Sequence, residues 1–235
     1  MAGGLELEGV SVKRGGLTIC RDISFVAPEG EITVLLGANG AGKTTLLDGI
    51  TGVASAVSGA ISLDGRRIDA LSVHRRARHG LAYVEQGRSV FTRLTVAQNL
   101  AVVDGSDQVL DHAIELFPNL EARLRVPAGR LSGGEQQMLL IARVLATRPR
   151  FLIVDELSLG LAPGVVRTLI DTLARLAEQG MGILLVEQFA EMALSVCTRV
   201  HIMQRGRIVR SERREALMHD RASLLSPYFL GGEHA

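Results

Sequence analysis

The residues Gly37-Ala38-Asn39-Gly40-Ala41-Gly42-Lys43-Thr44-Thr45 carry the most specific chemistry in this chain. The first eight fit the spacing G-x-x-x-x-G-K-[ST], in which glycines let consecutive backbone N–H groups turn inward on phosphate oxygens. Lys43 is placed to reach β- and γ-phosphates, Thr44 to hold Mg²⁺ and Thr45 to help at an α-phosphate. The chain has only two lysines, Lys13 and Lys43, and one of them falls where this loop requires one. The competing reading is a glycine-rich turn ahead of an ordinary helix. An apolar strand before the loop and a helical run after it favour the phosphate site.

Two further groups fit the same chemistry. Phe151-Leu152-Ile153-Val154-Asp155-Glu156 is an apolar run that ends in two carboxylates. Asp155 suits Mg²⁺, which prefers oxygen ligands and keeps several waters. Glu156 is placed to polarise an attacking water as a general base. Taken alone, the pair could equally be an acidic helix cap after a buried strand. The second group is Leu131-Ser132-Gly133-Gly134-Glu135-Gln136-Gln137. Its S-x-x-E spacing predicts a capping box at a helix start. Free amides at Gly133 and Gly134, with the Ser132 hydroxyl, form a second place to grip phosphate. An isolated S-G-G-E would be no more than a well-capped helix.

These groups need elements to hold them. Ile32–Leu36, Phe151–Val154 and Ile183–Val186 are apolar throughout and rich in β-branched residues, as expected of parallel strands covered on both faces. In open α/β sheets ligands bind beyond the carboxyl ends of such strands, so the polar residues that follow the three runs should converge. Leu5–Val12 and Ile23–Ala27 alternate instead, and Asp64-Gly65 reads as a type I′ hairpin turn, so a small antiparallel layer is expected near the N-terminus. Between about 87 and 136 the pattern is helical, with a capping box at Thr95–Gln98 and a helix that stops before Pro118. The fold expected is α/β. It has a P-loop core with a mostly parallel sheet, an N-terminal antiparallel β subdomain and an inserted helical subdomain. One domain spans 1–235, with core and β subdomain at about 1–86 and 137–235 and the helical part at about 87–136.

Composition narrows the classes. A net charge of +1 gives no bulk attraction to nucleic acid or anionic lipid. Hydrophobic residues make up 47% of the chain, yet no run approaches the ~20 residues that span a bilayer. The N-terminus lacks a basic-then-apolar leader pattern. Cys20 and Cys197 have no metal-ligand spacing and read as buried or incidental thiols in a reducing compartment. A cytoplasmic protein docked on something apolar is expected. The run His74-Arg75-Arg76-Ala77-Arg78-His79 reads as a solvated helix face.

The order of phosphate loop, LSGGEQQ string and Asp155-Glu156 resembles that of the ATP-binding-cassette (ABC) ATPases over nearly the whole chain. The resemblance implies ATP and Mg²⁺ as cofactors. It also implies a head-to-tail pair of cassettes, each ATP lying between one subunit's phosphate loop and the other's Leu131–Gln136 loop. Gln86, at the end of the strand-like run Leu81–Glu85, resembles the family's Q-loop glutamine, which touches Mg²⁺ or water and senses a transmembrane partner; otherwise it is a surface glutamine. Gln188 stands where the family usually has a switch histidine. A glutamine can donate to a γ-phosphate but never carry charge. Arg14 falls about where many cassettes have an aromatic residue against adenine. A guanidinium can also lie on a π face, and the other reading is a solvated loop arginine.

Other departures point to a subfamily. Val186-Glu187-Gln188, the string SLGLAP at 158–163 and YFLGG at 228–232 resemble the LivF-type cassettes of branched-chain amino-acid importers. Ala162 replaces the family's usual aspartate there, Leu157 a usual Pro and Glu85 another Pro. The resemblance implies an ATPase on the inner face of the cell membrane. Its partners would be permease subunits, a second cassette (an unlike paralogue or a copy of itself) and, indirectly, a solute-binding protein, with no nucleic acid. The alternatives are a cassette for urea, another small polar solute or lipid export, and a non-transport ABC ATPase.

Overall fold

The computed structural model describes residues 3–54, 57–87, 89–188 and 190–219; the YFLGG string at 228–232 lies outside them. Two sheets organise the chain. The first is antiparallel, with strand order β2-β1-β4-β5, built from β1 (Gly4–Arg14), β2 (Leu17–Pro28), β4 (Val57–Leu63) and β5 (Arg66–Arg67). Asp64 and Gly65 join β4 to β5 with φ of 51° and 74°, the two positive angles that a type I′ turn requires.

The second sheet has the order β10-β9-β3-β8-β7-β6. Its strands are β3 (Ile32–Leu36), β6 (Leu81–Val84), β7 (Phe151–Asp155), β8 (Gly182–Glu187), β9 (Arg199–Gln204) and β10 (Arg207–Arg213). Neighbours pair in parallel except β9 and β10. All of β3, β7 and β8 is buried, which is why their sequences are mostly apolar without alternation, Thr33, Asp155 and Glu187 excepted. The two faces feed different cores. Val34, Leu36, Leu152, Val154, Ile183 and Leu185 pack with the helices α3 (Val96–Ala101), α4 (Asp107–Leu116), α5 (Gly133–Leu145) and α6 (Pro163–Glu178). Leu35, Ile153, Leu184 and Val186 pack with α1 (Lys43–Thr51) and the antiparallel sheet. The α/β fold with one antiparallel and one mostly parallel sheet is thus as the sequence indicates.

Local signals set the helix ends. Thr95 and Ser132 each form a full capping box, at α3 and α5. The chain leaves α4 at Phe117, and Pro118 opens a 3₁₀ turn. The arginine-rich run needs a correction. It forms α2 (Val73–Arg78) with His74, Arg75 and Arg78 exposed, but Arg76 is buried. Its guanidinium donates to Gly49 O (2.7 Å), Ile50 O (2.6 Å), Leu71 O (2.9 Å) and Asp69 O (2.8 Å). Two of these are carbonyls near the end of α1, where helix carbonyls lack partners of their own. The remaining short helices are α7 (Ala190–Val196) and α8 (Arg214–His219). Among the described residues no helix is long and apolar enough to cross a membrane.

Candidate functional site

The phosphate loop runs from the end of β3 into α1. Gly40 and Gly42 hold φ of 79° and 103°, so the loop turns where only glycine is unstrained. A Cβ on Gly37 would sit 2.8 Å from Met203 O, which explains the first glycine by close backbone approach. The turn between β9 and β10 braces the loop from behind. Gly206 N donates to Ala41 O (2.8 Å), Arg21 N donates to Gly206 O (2.8 Å), and the buried Cys20 thiol lies 3.4 Å from Gly42 O. The amides at the start of α1 carry no side-chain cap and no acidic neighbour in the first turn. They remain free for an anion, which the helix dipole favours.

Lys43 is buried and donates to Gly37 O (2.7 Å) and Ala38 O (3.4 Å). Its Nζ lies 4.0 Å from Glu156 Oε1. Burial lowers its pKa, opposed by the charges of Glu156, Asp155 and Glu187. Asp155, at the end of β7, is also buried and accepts from the Tyr83 hydroxyl (3.3 Å). Burial, helped by the charge of Glu156, pushes its pKa up to about 6, with Lys43 and Tyr83 opposing. Glu156 has φ of 49°, a left-handed conformation that costs a non-glycine residue about 1–3 kcal/mol and gathers at functional sites. Gln86 Nε2 donates to Glu156 Oε2 (2.5 Å), and among the described residues no hydrogen bond takes up the glutamine's carbonyl oxygen.

One opening is lined by Arg14, Ile19, residues 38–45, Gln86, Glu156, Leu159 and Gln188. The structure therefore brings the phosphate loop, Gln86, Glu156, Gln188 and Arg14 together, with Asp155 in the adjoining pocket beside Glu156 and Gln86. Arg14 is mostly exposed, 3.9 Å from Asp48. Thr44 is exposed at the mouth and Thr45 is buried. Gln137, Glu187 and Tyr83 also belong to this neighbourhood, and no spacing rule marks them. None of Leu131, Ser132, Gly133, Gly134, Glu135 or Gln136 lines the opening. That loop starts α5 elsewhere: Ser132 Oγ accepts from Glu135 N (3.2 Å), and Glu135 accepts from Ser132 N (2.8 Å) and Arg123 (2.8 Å). Gly134 is buried, and a Cβ there would meet Val165 at 2.7 Å, so this glycine also lets α5 approach α6 closely. Ala162 sits at the N-cap of α6 with no side-chain bond to give, and Pro163 at the first turn suits an end without that donor demand.

The donor set fits Mg²⁺. Thr44, Asp155 and the free Gln86 carbonyl are hard oxygen groups, and Mg²⁺ commonly takes one or two carboxylates and fills the rest of its shell from phosphates and water. Among the described residues no group of three or more His, Cys, Asp or Glu could cage a metal without such help.

The chain resembles known proteins over most of its length. Residues 20–158 match the ABC transporter family. The chain is 41% identical over 220 residues to the high-affinity branched-chain amino acid transport ATP-binding protein BraG of Pseudomonas aeruginosa, covering 91% of this chain and 94% of that protein. It is 36% identical over 202 residues to the lipopolysaccharide export system ATP-binding protein LptB of Escherichia coli K12, covering 83% and 84%. Its fold superposes with TM-score 0.86 and 22% identity on an ATP-binding cassette of an ABC transporter in its ADP conformation, covering 99% of this chain and all of that one.

Proposed function

The chain belongs to the ABC transporter family of ATP-binding subunits, and from that premise we propose that it hydrolyses ATP with Mg²⁺ to drive import of branched-chain or related amino acids. The observation that carries this reading is the meeting of Lys43, Gln86, Glu156 and Gln188 around the phosphate loop. Amides of residues 38–45 and Lys43 bind the phosphates. Thr44, Asp155 and Gln86 would hold Mg²⁺, which would supply charge neutralisation to the phosphates when bound. Glu156 takes the proton of the attacking water, and the Gln188 amide donates to the γ-phosphate. Lys43 exchanges the carbonyls of Gly37 and Ala38 for phosphate oxygens.

The Leu131–Gln136 loop, outside its own opening, serves the ATP of a second cassette. Residues 87–136 form the helical subdomain that carries this loop toward it. Permease subunits hold the pair at the inner face of the membrane. The amino-acid assignment is supported by the likeness to BraG and by the Glu187-Gln188 and SLGLAP strings. The likeness to LptB favours lipid export as the second reading. Purification of the tagged chain from membranes in mild detergent tests both. We expect Mg²⁺-dependent ATPase activity together with permease subunits and an unlike second cassette, stimulated by a binding protein loaded with leucine, isoleucine or valine. Recovery with lipid-export subunits selects the second reading, and absence of turnover rejects the hydrolytic role.

A further inference from the structure

Glu187 has no role in the mechanism above, yet it is the most enclosed carboxylate near the site, at 1% exposure. Taking a carboxylate out of water costs several kcal/mol unless hydrogen bonds satisfy it. Here they come from two segments. Ser158 donates both its amide (3.1 Å to Oε1) and its hydroxyl (3.1 Å to Oε2), and the amide of Gln188 donates to Oε2 (3.3 Å). The backbone of the same residue reaches a third segment, because Glu187 O accepts from Gly37 N (3.3 Å) at the start of the phosphate loop. Its neighbour Val186 O accepts from Glu156 N (2.9 Å). One residue thus touches the phosphate loop, the segment after Glu156, and Gln188. Burial raises its pKa, and the same three donors oppose that rise. Among the described residues no cation lies within 4.0 Å of it to make it half of an ion pair.

We infer that Glu187 is a positioning residue: its carboxylate ties the Ser158 loop to the Gln188 backbone, so that the group facing the γ-phosphate and the loop leading into α6 move as one unit. The inference rests on the hydrolytic reading and deepens it. If Gln188 must donate to a γ-phosphate oxygen, its backbone needs a fixed anchor. If the 158–162 loop faces a second cassette, the same anchor makes arrival of that cassette felt at Gln188. A residue that only filled the core would need no carboxylate, since taking a charge out of water costs several kcal/mol that an apolar side chain of similar volume avoids.

The test compares Glu187→Gln and Ser158→Ala with wild type in the membrane complex co-purified with the tagged chain. A glutamine fills the same volume but has one acceptor oxygen. Whichever way it turns, its NH₂ faces the amide of Ser158 or of Gln188, leaving one donor unpaired. We expect Glu187→Gln to lower kcat at least tenfold while the Kd for ATP and the melting temperature of the isolated chain change little. Ser158→Ala, which keeps the amide bond, should lower kcat less, and the double variant should be no worse than Glu187→Gln alone. Unchanged kcat in Glu187→Gln overturns the inference. So does a fall in ATP affinity and melting temperature that matches the fall in kcat, which is what a merely structural role gives. If Glu187→Gln does not fold, Ser158→Ala decides alone by the same split between kcat and Kd. A wild-type complex with no turnover rejects the hydrolytic reading itself, whereas an active wild type with indifferent variants rejects only the anchor.

Discussion

Glu156→Gln separates chemistry from binding at this site. The glutamine keeps the volume and can keep the bond from Gln86 Nε2, now 2.5 Å long, by presenting its carbonyl oxygen there. What it loses is the negative charge and the capacity to take a proton. A general base contributes about 10²–10⁴ in rate, or about 3–5 kcal/mol of barrier. Binding should move the other way. Lys43 Nζ lies 4.0 Å from Glu156 Oε1, a separation worth about 4 kcal/mol of attraction at an effective dielectric near 20. That attraction competes with phosphate for the lysine. Part of it is retained through Asp155 and Glu187, so a gain in ATP affinity of up to about tenfold is expected, near 1.4 kcal/mol. The pH response should shift as well. Asp155 is raised to about 6 by burial first and by the charge of Glu156 second. In the wild type, Mg²⁺-dependent ATP binding should weaken as pH falls through about 6, because a protonated carboxyl no longer serves the metal. In the variant that midpoint should move to lower pH. Phosphate release by the membrane complex measures the first effect, and equilibrium ATP binding between pH 5 and 8 measures the others. A kcat within threefold of wild type would refute Glu156 as the base, and weaker ATP binding would refute the competition for Lys43.

Gln188→Ala removes the proposed γ-phosphate donor and should lower kcat about 10²-fold, by analogy with loss of a transition-state hydrogen bond, with ATP affinity within about threefold; equal turnover counts against a catalytic role. Gly206→Ala places a Cβ 1.8 Å from Ile19 O at φ of 77°. It should destabilise the chain by about 2–4 kcal/mol and disturb ATP binding through the bond to Ala41 O, whereas Gly105→Ala, with nothing within 4 Å, should stay within about 0.5 kcal/mol; denaturant titration checks both. His201 is buried against Phe25, and burial, then the charge of Arg199, holds its pKa down to about 4. Below about pH 6.5 the unfolded chain takes up a proton that the folded chain refuses. Stability present above pH 6.5 should therefore be lost progressively down to about pH 4, by about 3 kcal/mol. His201→Phe keeps the stack and should flatten that part of the stability–pH curve.

The parts of the site legible in sequence are those whose chemistry is local. The phosphate loop is nine consecutive residues, and the two carboxylates follow their strand directly. The two capping boxes each span four residues and appear as the spacing indicates. What escaped depends on partners far along the chain. Tyr83 and Asp155 are 72 residues apart, and Ser158 and Glu187 are 29 apart. The brace under the phosphate loop joins Ala41 to Gly206. Arg76 escaped for a related reason. It is an ordinary member of a basic run until α1 is placed beside it, where its guanidinium meets carbonyls that no helix bond satisfies. The apolar strands announced burial on both faces but not which face met which core, since a continuous run carries no alternation to read.

The loop proposed to grip a second phosphate has its own electrostatic logic. A helix start favours anions, but Glu135 puts a carboxylate in the first turn of α5 to complete the capping box. Left alone, that charge would repel a nucleotide phosphate. Arg123 cancels it at 2.8 Å. Burial works against the ionised carboxylate, but the Ser132 amide and hydroxyl and the Arg123 charge outweigh it and hold the Glu135 pKa down. The capping box therefore stays intact while the end of the helix keeps its attraction for an anion. The Ser132 hydroxyl is engaged with Glu135 in both ways, its oxygen accepting from the Glu135 amide and its proton favouring the ionised carboxylate. On the proposed reading, the loop satisfies its own helix and still offers a neutralised, donor-rich end outward. The opening around Lys43 lacks that second set of donors, because none of residues 131–136 reaches it. If the proposed reading holds, each chain carries one half of the site facing its own ATP and one half facing away, and two cassettes meeting head to tail would complete it.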